Sequence, residues 1–148
     1  MAWSPRAMTK QMSQHLFVYG SLRSASQHPL AHKLVTQARL IGVGSTSGIL
    51  YDLGRYPAAM LGPEHKGRVI GEVFELPRDG RLLRELDFYE GTAEPSSPLA
   101  RVDIEVLLDE GSALKVQAFA LSAPPPIRRV IESGDWIVHY LSRSSTLR

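Results

Sequence analysis

Two carboxylates, Asp87 and Glu90, lie three residues apart in the segment Leu86-Asp87-Phe88-Tyr89-Glu90-Gly91. On a helix, residues at this spacing lie on nearly the same face. A carboxylate can take a proton from one reacting atom and return it to another, and it does so best when partial burial raises its pKa toward neutrality. Glu90, at the predicted end of a helix, is the candidate for this role. A solvated surface position is the alternative for each carboxylate taken alone, and a helix-cap contact is a further alternative for Asp87.

The segment Tyr19-Gly20-Ser21-Leu22 is the second candidate, because it directly follows a short apolar run. Gly20 has no Cβ, so the backbone can approach a ligand closely there. Successive amides of a turn form a concavity that binds anions, and Ser21 adds a hydroxyl group. A plain turn would explain the same residues. Ser21 lacks the surrounding motif of a serine nucleophile, so covalent catalysis by this residue is not expected.

The apolar residues around these candidates predict a small α+β domain. The run before Tyr19 predicts a buried strand, and the spacing of Leu82, Leu83, Leu86 and Tyr89 predicts a helix over 78–90, capped by Asp79. Strands are predicted over 38–53, with bends or bulges at its glycines, over 69–76, and in a hairpin formed by 102–108 and 114–121. Strands outnumber helices, so a mixed, strongly curved, barrel-like β-sheet with a few flanking helices is expected.

The composition excludes several classes of protein. The 148 residues suggest one domain over 15–141, with a disordered N-terminal extension over 1–14 and a frayed C-terminal tail over 142–148. The absence of cysteine excludes disulfides, thiolate zinc sites and cysteine nucleophiles. The scattered basic residues predict no nucleic-acid partner, and no apolar run is long enough to predict a membrane span. These features, without a secretory signal, predict a cytoplasmic protein.

Five segments, in order along the chain, carry a resemblance to a known family. They are Phe17-Val18-Tyr19-Gly20-Ser21-Leu22; Leu50-Tyr51 with Tyr56-Pro57-Ala58; Val69-Ile70-Gly71-Glu72-Val73-Phe74-Glu75-Leu76; Leu86-Asp87-Phe88-Tyr89-Glu90-Gly91; and Ser133-Gly134-Asp135-Trp136. In their order and spacing these segments resemble the γ-glutamylcyclotransferase-like, or AIG2-like, family. The resemblance covers most of the chain, from residue 16 to residue 136.

The resemblance implies a barrel-like mixed sheet and an enzyme that needs neither a cofactor nor a metal. Such an enzyme releases 5-oxoproline and a free amine from a small γ-glutamyl compound. Glu90 stands where the family has its catalytic glutamate, and the segment Tyr19-Gly20-Ser21-Leu22 matches the family's opening strand and loop, where we expect the substrate to bind. Other ligands of the same pocket, such as a γ-glutamylated antibiotic intermediate or a peptide, remain open.

The sequence departs from the family at Leu99. Members of the family often have a tyrosine at this position, two residues before an arginine. Two roles are open for that arginine, Arg101: it holds a substrate carboxylate, or it pairs with a surface acid. The missing hydroxyl motivates a second hypothesis, a non-catalytic binding protein on the same scaffold. The enzyme hypothesis predicts that Glu90 is partly buried and faces the 19–22 loop. The binding-protein hypothesis predicts that Glu90 points to solvent or that side chains fill the pocket.

Overall fold

The computed structural model describes residues 14–20, 22–23, 26, 28–54, 56–90 and 98–146. Within them the chain forms six strands and three helices. The strands are β1 (His15–Val18), β2 (Arg39–Asp52), β3 (Pro57–Leu61), β4 (Arg68–Glu75), β5 (Leu99–Leu108) and β6 (Ala113–Leu121); the helices are α1 (Pro29–Gln37), α2 (Arg81–Glu90) and α3 (Trp136–Thr146).

The strands lie in the order β3-β2-β4-β1-β6-β5, and β5 pairs again with β2. Five of the described strands therefore close into a barrel, and β3 extends β2 as an extra strand. β1 and β6 are parallel, whereas the other pairs are antiparallel. The predicted α+β fold with a mixed, curved sheet is confirmed. The register of β2 against β4 shifts between Leu40 and Gly42, which is a bulge of the kind that the glycines of β2 predicted.

β1 lies between two apolar cores. Phe17 and the following Tyr19 belong to the cluster inside the barrel, together with residues such as Val73 and Val106. The alternate residues Leu16 and Val18 pack in a second cluster, which lies against the helices. Since successive side chains of a strand point to opposite faces, a strand buried on both faces is a nearly continuous apolar run, as β1 is after His15. This explains why the continuous apolar run before Tyr19 marks a strand.

α2 packs through its apolar face and carries Glu90 as its last residue. Leu82 and Leu86, one turn apart, are fully buried in the second cluster. The side chain of Asp79 accepts a hydrogen bond from the main-chain N–H of Arg81 at 3.0 Å just before the helix, which begins at Arg81 and not at the predicted residue 78. Burial of the leucine face therefore fixes the rotation of α2 about its axis and so the direction in which Glu90 points.

The C-terminal part of the chain returns to the barrel. The main-chain N–H of Ile131 donates to the carbonyl oxygen of Leu50 at 2.8 Å, and both Ile131 and Trp136 are buried in the barrel core. α3 continues to Thr146, so residues 142–146 are helical where the sequence suggested a frayed tail. Among the described residues, no helix is both long and apolar enough to cross a membrane.

The predicted N-terminal extension lies outside the described residues, apart from Gln14. The carbonyl oxygen of Gln14 accepts a hydrogen bond from the main-chain N–H of Leu76 at 2.7 Å. This contact continues the pairing of β1 with β4 by one residue. The ordered domain therefore includes Gln14, one residue before the predicted boundary.

Candidate active site

Tyr19 ties the end of β1 to two neighbouring strands. Its hydroxyl donates a hydrogen bond to the carbonyl oxygen of Phe119 on β6 at 2.8 Å and accepts one from the main-chain N–H of Ala59 on β3 at 3.1 Å. Burial is the main cause that raises the pKa of Tyr19 far above its ordinary value, and the nearby charge of Glu90 raises it further. Tyr19 is therefore a neutral phenol, and its two hydrogen bonds hold β3 and β6 together at the site.

The backbone turns sharply after Tyr19. The main-chain N–H of Arg23 donates to the carbonyl oxygen of Gly20 at 3.0 Å, and Leu22 is buried in the second cluster. A Cβ on Gly20 would lie 2.7 Å from Cγ of Pro57, so only glycine fits this approach of the loop to β3 without a shift. Ser21, which the sequence predicted as a binding residue, lies outside the described residues.

Glu90 ends α2 at the same pocket. Burial raises the pKa of Glu90 from its ordinary 4.5 to about 7, because a carboxylate removed from water is disfavoured relative to the neutral acid. The effect of its charge on the pKa of Tyr19 also places the two groups near each other. At neutral pH the carboxyl group of Glu90 therefore exists in comparable amounts with and without its proton, as a general acid and base requires.

The pocket has a volume of about 240 Å³, just below the range of sites for drug-sized ligands, and so fits a small molecule. Three of the predicted site residues with described positions, Tyr19, Gly20 and Leu22, line it together with Glu90. The remaining lining is largely apolar and consists of Phe17, Val18, Tyr56, Pro57, Tyr89, Leu99 and Phe119.

Arg101 lies outside this lining. Its Nη1 donates to Oδ2 of Asp87 at 2.7 Å, so the structure supports the alternative in which Arg101 pairs with an acid near the surface. Asp87, the other carboxylate of the helix end, is likewise not among the residues that line the pocket with Glu90. Leu99 does lie at the pocket, where the apolar side chain replaces the phenol that is frequent in the family.

Several pocket residues were not predicted as site residues from the sequence. Tyr56 and Pro57 belong to a segment that carried the family resemblance, and this resemblance is what could have identified them as pocket residues. Tyr89, which is 43 % exposed, was assigned to the apolar face of α2 and instead lies at the pocket beside Glu90. Phe119 comes from a strand far along the chain, and no local pattern marks it.

Known proteins with the same architecture include three informative cases. YkqA from Bacillus subtilis is 26 % identical with a TM-score of 0.69, over 90 % of this chain and 43 % of its own. An AIG2-like protein from Mus musculus is 25 % identical with a TM-score of 0.62, over 80 % of this chain and 86 % of its own. A gamma-glutamyl cyclotransferase, at 15 % identity and a TM-score of 0.54 over 79 % of this chain and 68 % of its own, shares the fold.

The chain thus spans less than half of the YkqA chain. A comparison with curated proteins found no match. The family model described as "Gamma-glutamyl cyclotransferase, AIG2-like" matches residues 16–138, which include all six described strands apart from His15 at the start of β1, and the first residues of α3. By this match the chain belongs to the γ-glutamyl cyclotransferase, AIG2-like family.

Proposed function

We propose that this protein is a γ-glutamyl cyclotransferase, which releases 5-oxoproline and a free amine from a small γ-glutamyl compound with Glu90 as general acid and base. The observation that carries the proposal is the position of Glu90. Glu90 lines the same pocket as Tyr19, Gly20 and Leu22, and burial raises its pKa to about 7. A surface carboxylate would have neither property.

The reaction needs one proton shuttle and no external reactant. The α-amine of the substrate attacks its own γ-carbonyl carbon and closes a five-membered ring, while the carboxylate of Glu90 takes a proton from the attacking nitrogen. The tetrahedral intermediate then collapses, the bond to the leaving nitrogen breaks, and Glu90 returns the proton to that nitrogen. The products are 5-oxoproline and the amine, and Glu90 ends as the carboxylate with which it began.

The loop after β1 supplies the complementary part of the mechanism. The oxygen of the γ-carbonyl gains negative charge in the transition state, and fixed N–H donors stabilise this charge where water is excluded. Gly20 brings main-chain atoms to the pocket surface, since the backbone has no Cβ there and packs directly on Pro57. We assign the binding of the oxyanion and the α-carboxylate to the amides of the 20–22 turn. We propose that the hydroxyl of Ser21 binds the substrate together with these amides.

The state of the pocket favours an enzyme over a non-catalytic binding protein. The binding-protein hypothesis requires either that Glu90 points to solvent or that side chains fill the pocket. The pocket instead has a free volume of about 240 Å³, and the carboxyl group of Glu90 is largely removed from water. Both features favour the catalytic hypothesis.

The apolar rim indicates which amines the site releases best. Leu99, Tyr56 and Tyr89 lie around the pocket, while Arg101, a cation that could otherwise hold an acidic leaving group, is engaged by Asp87. Apolar surface is stabilised by contact with an apolar ligand, and an unpaired carboxylate loses hydration there without compensation. We therefore expect γ-glutamyl derivatives of aliphatic or aromatic amines to react faster than those of acidic amino acids.

The test is the release of 5-oxoproline from a panel of γ-glutamyl amines, γ-glutamyl amino acids and glutathione, measured on the wild type and on Glu90→Gln. Glu85→Gln is the matched control, because Glu85 is on the same helix but pairs with Lys33 at the surface. Release that disappears in Glu90→Gln and persists in Glu85→Gln supports the proposal. Release that survives Glu90→Gln excludes Glu90 as the base, and no release from any substrate favours the binding protein.

A further inference from the structure

A buried ion pair holds the loop that leads out of the pocket. Nη1 of Arg23 donates to Oδ1 of Asp135 at 2.8 Å, and the two side chains are only 10 % and 16 % exposed. The main-chain N–H of Arg23 also closes the turn onto the carbonyl oxygen of Gly20 at 3.0 Å. Arg23, which forms the ion pair, is thus also hydrogen-bonded through its main chain to Gly20, which lines the pocket.

Asp135 is a rigid anchor for this contact. Its Oδ1 also accepts hydrogen bonds from the main-chain N–H groups of Ile137 at 2.9 Å and Val138 at 3.3 Å, so it caps the start of α3. The preceding Gly134 has a φ of +68°, and its carbonyl oxygen accepts from the N–H of Ile70 on β4 at 2.8 Å. Asp135 is therefore fixed both to a barrel strand and to a helix.

The buried charge of Arg23 is compensated by the carboxylate of Asp135. Arg23 is buried, and its Nε has no hydrogen-bond partner within the part of the chain that the structure describes. A buried guanidinium that loses its carboxylate is left as an uncompensated charge, and a relaxed structure would expose it to water. Loss of the pair is therefore expected to move Arg23 outward, and the turn to Gly20 with it.

We propose that Arg23 is a positioning residue for the reaction: its ion pair with Asp135 holds Gly20 and the main-chain N–H of Leu22 at the distance from Glu90 that ring closure requires. The inference rests on the proposed function. Donors to an oxyanion act only when they lie about 3 Å from the developing charge. A displacement of about 1 Å, produced far from the chemistry, lowers the rate roughly 100-fold.

The first test compares Arg23→Gln, Asp135→Asn and the double variant. Asparagine retains an oxygen that can cap α3, so this substitution removes the charge and keeps the helix start. We expect each single variant to lower kcat/KM by roughly 100-fold. The double variant should be no worse than the worse single variant, because the two residues act as one unit. Arg23→Lys should recover part of the activity, since the ammonium keeps the charge but not the planar fork.

The controls separate positioning from stability. Arg39→Gln breaks an ion pair with Glu75 in which the arginine is 72 % exposed, and should leave kcat/KM unchanged. Val106→Ala removes buried volume in the barrel core, outside the pocket lining, and should lower stability without lowering kcat/KM of the folded protein. The pH at which kcat/KM is half-maximal should not change in Arg23→Gln, because Arg23 acts on the loop and not on Glu90.

Hydrogen exchange gives a readout that does not depend on activity. In Arg23→Gln the main-chain amides of residues 20–23 should exchange faster than in the wild type, while those of β1 and β4 keep their protection. Unchanged exchange in this loop, unchanged kcat/KM of Arg23→Gln, or an equal loss in Val106→Ala would each overturn the inference. A wild type that releases no 5-oxoproline would instead refute the proposed function, and the exchange measurement would still decide whether the ion pair holds the loop.

Discussion

The substitution Glu90→Gln is expected to abolish activity and, at alkaline pH, to make the protein more stable. The pKa of Glu90 in the folded protein is about 7, raised from the ordinary 4.5 by burial. The unfolded chain exposes this carboxyl group to water, so its pKa there is ordinary. Folding therefore disfavours the ionised form, and an uncharged glutamine of the same shape avoids that cost.

The size and the pH range of the effect follow from these two values. A rise from 4.5 to about 7 corresponds to roughly 3 kcal/mol, since each tenfold change in a protonation equilibrium is worth about 1.36 kcal/mol. Well below pH 4.5 the group is protonated in both states, so the wild type bears no penalty. Between these pKa values the unfolded chain loses its proton first, and the stability of the wild type falls as the pH rises. Above pH 7 the full difference is reached.

Urea unfolding at several pH values between 4.5 and 8.5 measures this difference. At pH 8 the urea midpoint of Glu90→Gln should exceed that of the wild type by at least about 1 M, given a dependence of about 1–3 kcal/mol per molar urea. Near pH 4.5 the two midpoints should coincide. Glu85→Gln controls for the substitution itself, because Glu85 forms an exposed pair with Lys33. Curves of wild type and Glu90→Gln that run parallel over the whole range would refute the burial of Glu90.

Three further predictions concern the same site. The kcat/KM of the wild type should rise with pH through about 7, as Glu90 loses its proton and becomes the base; a flat profile there would contradict this role. Tyr19→Phe leaves two buried main-chain groups without their partner and should lower the free energy of unfolding by about 1–3 kcal/mol in a denaturant titration. Gly20→Ala should reduce kcat/KM because its Cβ would lie 2.7 Å from Pro57, whereas Gly42→Ala, with its nearest contact at 3.8 Å, should be tolerated.

The local patterns of the sequence predicted the elements well because the forces behind them are local. The period of Leu82 and Leu86 gives the buried face of α2, and the unbroken run before Tyr19 gives a strand that is covered on both faces. No pattern in the sequence, by contrast, marks where the last helix ends. α3 extends to Thr146, beyond the residue at which the apolar pattern ends.

The spacing of Asp87 and Glu90 could not by itself separate the two carboxylates of α2, and it was the family resemblance that selected Glu90. Asp87 and Glu90 are three residues apart, and this spacing places them on nearly the same face of a helix. The structure separates them through a partner from another element: Arg101 on β5 contacts Asp87 at 2.7 Å, whereas Glu90 lies at the pocket. The raised pKa of Glu90 is likewise a result of packing, since burial by distant residues causes it.

The loop after β1 owes its shape to residues that are remote in sequence. The hydroxyl of Tyr19 bonds the main chain of Phe119, 100 residues away, and Arg23 bonds Asp135, 112 residues away, while Gly20 packs on a proline of β3. A loop fixed from three directions has little freedom to lose when a ligand binds, so its donors can act without reorganisation. The rate should consequently be sensitive to substitutions that never touch the substrate, and it should be most sensitive where a single side chain provides the contact.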